Sequence, residues 1–574
     1  MNWKEKYQTW LEYENLDESL KQDLQKYKND ESKLEDAFYT SLEFGTAGMR
    51  GIIGAGTNRM NIYTVRQATE GLALFIENQG KQMKERGVAI AYDSRHMSKA
   101  FAVEAALTLA HHGIKAYVFE ELRPTPELSF AVRHLKAAAG IMITASHNPP
   151  EYNGYKVYGD DGGQLPPKEA DELTTFVRSV EDILSIKAMK QKEAETKGLL
   201  KFVGKDIDKF YLEAIKTVTI NQDLTDRQGR ELKIVFTPLH GTGQMLGEKA
   251  LRQIGFKNVS FVEEQSKPDP DFTTVKSPNP EDPAAFELAI EKGKEVDADV
   301  LIATDPDADR LGVAVRTAKG HYEVLTGNQI AALMVEYIFK ALSTNETLPR
   351  NSVMLKSIVS SELPSVIGDK YGVETINVLT GFKFIAEKIK AFEADRSKVF
   401  MYGFEESYGY LVQPFVRDKD AIQALVMVAE MTAYYKEQGY SLFDTIHEIY
   451  HEYGHYKEKT ISVKMDGMEG TEKINAIMNE FRSATPESFG GVEVSVIEDF
   501  KEQTRQTADT KESMDLPPAN VLKYTLADSS WIAVRPSGTE PKIKFYISAR
   551  DDSGVIVSEK LEAFEADIRS RVDL

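Results

Sequence analysis

Short apolar runs alternate with stretches of helical period along most of the chain. Runs at 88–92, 114–119, 140–144, 232–236, 259–262, 300–303 and 353–355 are separated by helical patterns such as 99–112. A strand with no polar alternation is buried on both faces, so repeated β-α-β units with largely parallel sheets are expected. The first forty residues instead carry charged, amphipathic periodicity. Toward the C-terminus the pattern changes again, and 461–465, 492–497, 531–534 and 543–548 read as strands of a sheet-rich domain. The Lys/Glu-rich stretch 187–201 predicts a boundary near 205, and pattern changes predict others near 322 and 455. The expected domains are therefore 1–205, 206–321, 322–455 and 456–574, in keeping with a 574-residue chain at about 150 residues per domain. No internal repeat or low-complexity segment is visible.

Composition narrows the function classes. A net charge of −20 argues against bulk capture of nucleic acid. The absence of cysteine excludes disulfides, thiolate metal sites and a thiol nucleophile. Residues 1–10 lack the apolar core of a signal peptide, and the longest apolar stretch, 137–145, is about half of what a membrane span needs. The expectation is a cytoplasmic protein with no membrane or nucleic-acid partner.

Two motif matches point to ordinary structure. His447-Glu448-Ile449-Tyr450-His451 fits the HExxH zinc spacing, but the same segment reads as an amphipathic helix with Leu442, Ile446 and Ile449 on its apolar face. Gly241-Thr242-Gly243 followed by Gly247 imitates a dinucleotide fingerprint with one residue too many, and reads better as a strand-to-helix turn.

Four loop clusters, one in each expected domain, carry chemistry. TASHNP at 144–149 follows a buried run and places Ser146 at a strand end beside His147, as a nucleophile or simply as a polar loop. DPDADR at 305–310 offers Asp305, Asp307 and Asp309, which alternation in an extended segment would bring to one side. Three crowded carboxylates call for a hard cation, and an all-oxygen set suits Mg²⁺. A calcium loop of the EF-hand kind fails, because its sixth position would be Arg310 and its twelfth Arg316. In GFEES, Glu405 and Ser407 have the equipment to hold sugar hydroxyls, although the segment also suits a helix cap. In RPSGTEPK, Arg535, Ser537, Gly538, Thr539 and Lys542 offer an anion clamp between two strands, although the segment also suits a plain hairpin loop. A nucleophilic serine, a divalent cation, a hydroxyl-reading loop and a separate phosphate grip together describe phosphoryl transfer on a phosphosugar. A second phosphate site is needed when the unreactive phosphate must be held remotely, which points to a mutase.

With these four loops in this order, the chain resembles the α-D-phosphohexomutase superfamily over essentially its whole length. Within it, DPDADR and GFEESYG make it most similar to the phosphoglucomutase and phosphopentomutase branch. The resemblance implies a heart-shaped four-domain α/β fold: three related mixed-sheet α/β domains and a smaller α+β C-terminal domain. It implies that Ser146 is the phosphoserine, that Asp305, Asp307 and Asp309 bind Mg²⁺ with it, and that Arg310 approaches the transferring phosphate. Arg50 in GTAGMRG matches an arginine near the phosphoserine, and Lys156 in NGYKVY matches a general acid. Thr380, Gly381 and Lys383 resemble the loop that reads the hexose in two orientations; Glu405 and Ser407 match hydroxyl ligands, and Lys419 matches a cleft lysine of the glucose-type enzymes. The departure is Gly409, where phosphomannomutase-type relatives carry a histidine. The implied activity interconverts α-D-glucose 1-phosphate and glucose 6-phosphate, with glucose 1,6-bisphosphate as intermediate and activator, in a monomer or weak dimer. Alternatives are pentose or mannose phosphates as substrate, or a non-catalytic phosphosugar sensor.

Overall fold

The chain, described at residues 2–45, 48–465, 467–537 and 542–572 in a computed structural model, forms two compact units. One comprises 1–330 with 382–441, the other 331–381 with 442–574.

The first unit opens with three short helices, Trp3–Glu12, Glu18–Tyr27 and Glu31–Phe38, capped by the side chains of Asn2, Asp17 and Asp30. The caps satisfy amides that would otherwise lack partners. Their apolar faces meet in a small cluster in which Trp10 packs edge-on against Phe38 and Tyr63. Six strands follow: β1 (Met49–Ile52), β2 (Val88–Tyr92), β3 (Ala116–Phe119), β4 (Ala139–Ile143), β5 (Tyr152–Tyr158) and β6 (Leu200–Val203). They lie in the order β1-β5-β4-β2-β3-β6. Every residue of β2 and β4 is buried, as helices on both faces require.

A second sheet is built from β7 (Ile234–Thr237), β8 (Val259–Phe261), β9 (Val300–Thr304), β10 (Leu311–Arg316) and β11 (Tyr322–Val324), in the order β11-β10-β9-β7-β8. Both sheets have a parallel centre. They become mixed because β1, β5, β10 and β11 pair antiparallel. Apolar runs do not betray β5, since Asn153 and Lys156 interrupt it.

The second unit holds β12 (Ser352–Ser357) parallel to β13 (Glu374–Val378). The first unit holds a hairpin of β14 (Val399–Glu405) and β15 (Gly409–Leu411), followed by the long buried helix Ala421–Glu437. The rest of the second unit is an antiparallel sheet made of β16 (His455–Lys464), β17 (Ser488–Phe489), β18 (Val492–Asp499), β19 (Thr504–Gln506), β20 (Lys511–Ser513), β21 (Leu522–Leu526), β22 (Trp531–Pro536) and β23 (Lys542–Asp551). Its main path runs β16-β23-β22-β21-β18-β19-β20, with β17 paired to β18.

The two decoys resolve as structure. His447, Glu448 and His451 lie on the exposed side of the helix Leu442–Tyr453, whose apolar face buries Leu442, Ile446 and Ile449. Thr242 donates from its amide (2.8 Å) and its hydroxyl (2.9 Å) to the carbonyl of Pro306, so the glycine turn braces the aspartate loop.

β5 sits between β1 and β4, and at Gly154 the two neighbours come too close for a side chain. An added Cβ would lie 2.5 Å from the Thr144 carbonyl oxygen and 2.8 Å from that of Met49. Both obstacles are backbone, so Gly154→Ala is expected to destabilise the first unit by about 2 kcal/mol. A urea titration of the variant beside the wild type checks this.

Candidate functional site

The serine loop begins where β4 ends. Thr144 Oγ1 accepts a hydrogen bond of 2.8 Å from the Ser146 amide. Ser146 has φ +52°, a left-handed conformation that costs a non-glycine residue about 1–2 kcal/mol. Arg95 offsets that cost. Its Nη2 donates to the carbonyls of Ser146 (2.6 Å) and Asn148, and its Nη1 to those of Pro149 (2.7 Å) and Tyr152 (3.1 Å). Behind these, Arg95 Nε faces Asp93 Oδ2 at 3.3 Å in full burial, and the guanidinium lies 4.9 Å from the centre of the Phe272 ring. One rigid fork thus fixes four carbonyls.

Asp305, Asp307 and Asp309 are all buried, and their ligand oxygens lie within 4.8 Å of one another. They converge through a tight turn rather than through strand alternation. The Ala308 amide donates to Asp305 O (2.9 Å), and Ala308 has φ +49°. Asp305 Oδ1 holds the turn by accepting from the amides of Asp309 (3.1 Å) and Arg310 (3.0 Å). Its other oxygen accepts from Ser146 Oγ at 2.8 Å, joining serine and aspartates directly. Thr125, the first residue of the helix Thr125–Leu135, donates its amide to Asp307 O (2.9 Å) and its hydroxyl to Asp307 Oδ2 (2.8 Å).

Three cations surround the carboxylates. Lys156 Nζ lies 3.1 Å from Asp307 Oδ2 and 3.9 Å from Asp309 Oδ2. Lys419 Nζ lies 3.2 Å from Asp309 Oδ2. Arg310 donates to Glu281 Oε1 (2.5 Å) and to the Ser407 carbonyl (3.1 Å), with Nε 3.8 Å from Asp309 Oδ1. Burial and the neighbouring carboxylates push Asp305 well above the usual carboxylate range. Burial also acts upward on Asp307, but Lys156 and the hydrogen bonds around it hold that group below its ordinary value. Burial, followed by Arg310 and Arg50, lowers His147 well below an ordinary imidazole, so it is neutral, with Nδ1 3.3 Å from Ser146 Oγ.

The cluster fits a metal. Asp307 Oδ1 and Asp309 Oδ1 are buried acceptors with no hydrogen-bond partner among the described residues, and an all-oxygen set belongs to a hard divalent cation.

Of the residues singled out from sequence, Ser146, His147, Lys156, the three aspartates, Arg310 and Lys419 come together here. Arg50 reaches the loop through Asn148 Oδ1 at 2.8 Å. Glu405 ends β14 and contributes to the field that keeps Arg310 charged, whereas Ser407 lies in the β14–β15 turn. Lys383 is the second residue of the helix Phe382–Asp395, and burial lowers its ammonium below the ordinary lysine value. Thr380 and Gly381 belong to the second unit. Arg535 lies in β22 and Lys542 opens β23 of that unit, and the Ser537 amide donates to Lys542 O at 2.7 Å; Gly538 and Thr539 lie outside the described residues. Sequence reasoning missed Arg95, Asp93, Thr125 and Glu281. An Asp-x-Arg directly after the wholly apolar β2 was the available signal for the first two.

Comparison with known proteins gives one consistent result. Models of the phosphoglucomutase/phosphomannomutase family match in order: alpha/beta/alpha domain I at 41–183, domain II at 209–320, domain III at 326–453 and the C-terminal domain at 472–563. A phosphoglucomutase of Staphylococcus aureus (strain bovine RF122 / ET3-1) is 41% identical over 530 residues, 92% of this chain and 93% of that protein. One from Staphylococcus epidermidis is 40% identical over 556 residues, covering 96% and 98%. In fold, the chain is similar to the open form of the Paramecium phosphoprotein pp63/parafusin, with a TM-score of 0.68 at 16% identity over 93% of this chain and 95% of that one.

Arg95→Lys keeps the charge at Asp93 but loses the fork. The variant is expected to be less stable by about 3 kcal/mol, because buried carbonyls lose their charged donors. Equilibrium denaturation measures this, and stability within 1 kcal/mol of wild type would contradict the clamp.

Proposed function

The chain belongs to the phosphoglucomutase/phosphomannomutase family, and we propose that it interconverts α-D-glucose 1-phosphate and glucose 6-phosphate through a phosphoserine at Ser146 and glucose 1,6-bisphosphate. The observation that carries this reading is the 2.8 Å hydrogen bond from Ser146 Oγ to Asp305, which puts the strand-end hydroxyl against the three-carboxylate cluster. A hydroxyl placed there serves as a carrier of a charged group.

Asp305, Asp307 and Asp309 would hold Mg²⁺, which when bound offsets the charge on the phosphoryl oxygens. In the forward half-reaction the bond between Ser146 Oγ and phosphorus breaks as a bond from the sugar hydroxyl to phosphorus forms. That hydroxyl gives up its proton, and Ser146 Oγ regains one. Lys156, a donor within the cluster, and neutral His147 beside Ser146 are the side chains suited to hand it on. Arg50 and Arg310 balance charge where the phosphoryl group passes. Thr380, Gly381, Lys383, Glu405, Ser407 and Lys419 would read the hexose hydroxyls. Arg535, Ser537, Gly538, Thr539 and Lys542 would grip the phosphate that is not reacting. The bisphosphate then turns end for end, and the second phosphoryl group returns to Ser146.

The same reading makes the protein a monomer or weak dimer of the cytoplasm acting on phosphosugars. No helix among the described residues is long and apolar enough to cross a membrane.

A coupled assay with glucose-6-phosphate dehydrogenase tests the activity, and parallel assays with ribose 1-phosphate and mannose 1-phosphate test the choice of sugar. Ser146→Ala is expected to lower kcat by at least about 10³-fold, because the covalent carrier is gone. Intact-mass analysis of active protein should show an added ~80 Da that maps to residue 146. Treatment with a chelator should abolish turnover, and added Mg²⁺ should restore it.

A further inference from the structure

Lys419 is held in a built slot. Its ammonium pairs with Asp309 Oδ2 at 3.2 Å and Asp418 Oδ1 at 3.1 Å, and lies 5.6 Å from the centre of the Phe382 ring. Its stem passes so close over Gly409 that an added Cβ there would sit 2.1 Å from Lys419 Cδ and 2.7 Å from Cγ. The absence of a side chain at 409 is what admits the lysine.

Asp418 is itself fully engaged. Oδ1 also accepts from the Lys419 amide (2.8 Å), and Oδ2 accepts from Tyr158 Oη (2.8 Å) and Gln164 Nε2 (3.1 Å). Asp418 and Tyr158 are both buried. Tyr158 stands two residues after Lys156 on β5, so both side chains leave the same face of one strand. That strand sends Lys156 to Asp307 and Tyr158 to Asp418. The result is an unbroken row of alternating partners: Asp307, Lys156, Asp309, Lys419, Asp418, Tyr158.

We propose that Tyr158 and Asp418 are positioning residues for Lys419: they fix its ammonium beside Asp309 so that it meets a hexose hydroxyl of the bound substrate. Neither touches the sugar; each acts through the lysine. This inference rests on the mutase reading. An ammonium has three hydrogens; Lys419 donates one to Asp418 Oδ1 at 3.1 Å and is held against Asp309 as an ion pair at 3.2 Å. The ammonium is aimed by the slot and not by the flexible stem, which removes rotamer entropy from sugar binding.

The test is a double-mutant cycle on the full-length protein with glucose 1-phosphate. Tyr158→Phe removes one hydroxyl from a ring that stays buried. It is expected to raise KM about five- to tenfold with kcat within about twofold, as loss of uniform binding does. A merely structural role would lower the active fraction, and hence the apparent kcat, without moving KM. In a Lys419→Met background, Tyr158→Phe should add no further change in KM, since its route is gone. Should Tyr158→Phe fail to fold, Asp418→Asn enters the same cycle with the same expectations. An unchanged KM, or additive effects with Lys419→Met, overturns the inference while leaving the mutase reading intact. A wild type with no turnover of any hexose phosphate overturns both.

Discussion

Three carboxylates packed within 4.8 Å of one another and withdrawn from water repel strongly. The surroundings of this loop are arranged to make that crowding tolerable. Backbone amides of Asp309 and Arg310 face Asp305, the first residue of a helix donates twice to Asp307, and Lys156, Lys419 and Arg310 close the ring. Lys156, Lys419 and Arg310 offset part of the crowded negative charge, with Lys419 also paired to Asp418 and Arg310 to Glu281. Two carboxylate oxygens still lack hydrogen-bond partners among the described residues. A buried acceptor in that state costs free energy unless a cation takes it up. Ser146 is tied to the same cluster, since its hydroxyl donates to Asp305 Oδ2 at 2.8 Å.

Within the first unit, the topology brings these groups together at strand ends. β2, β4 and β9 are buried along their whole length and are followed directly by Asp93, Thr144 and Asp305, respectively. In open α/β sheets this carboxyl edge is where ligands gather. The serine loop cannot hold its shape unaided, because residue 146 is left-handed and its carbonyls turn inward. Arg95 resolves both problems with one planar group, and Asp93 keeps that group charged and aimed. Stability of the loop and placement of the hydroxyl are therefore the same interaction.

Legibility from sequence followed chemistry. Strands such as β2, β4 and β9 were visible because burial on both faces leaves no polar residue to break the run. β5 was not, since the polar side chains that make it useful, Asn153 and Lys156, erase its apolar signature. Ser146 and the aspartates were found because their residue types in that spacing are costly without a purpose. The convergence of the aspartates was expected for a reason that does not hold: the turn at Ala308, and not strand pleating, brings them together. Arg95 went unread because its four partners are carbonyls, and carbonyls have no letter in a sequence. Thr125 and Glu281 were lost in the same way, as ordinary residues whose meaning lies in what the fold puts beside them.

Gly409 shows how a departure from a family pattern can be read physically. Relatives of the phosphomannomutase type place an imidazole at that point, and in this chain the stem of Lys419 occupies the space a side chain would need. The two positions form one steric unit, so a side chain at 409 and an inward lysine at 419 exclude each other. A lysine in that space brings a permanent charge to Asp309, where an imidazole would bring a group that titrates near neutrality. The exchange therefore alters more than shape: burial pulls the Lys419 ammonium down, but Asp309 and Asp418 hold it above its ordinary value, so that one charge stays in place. Asp418 and Tyr158 follow from this, because a flexible lysine lacks the rigidity of a ring and must be held from outside by neighbours that supply it.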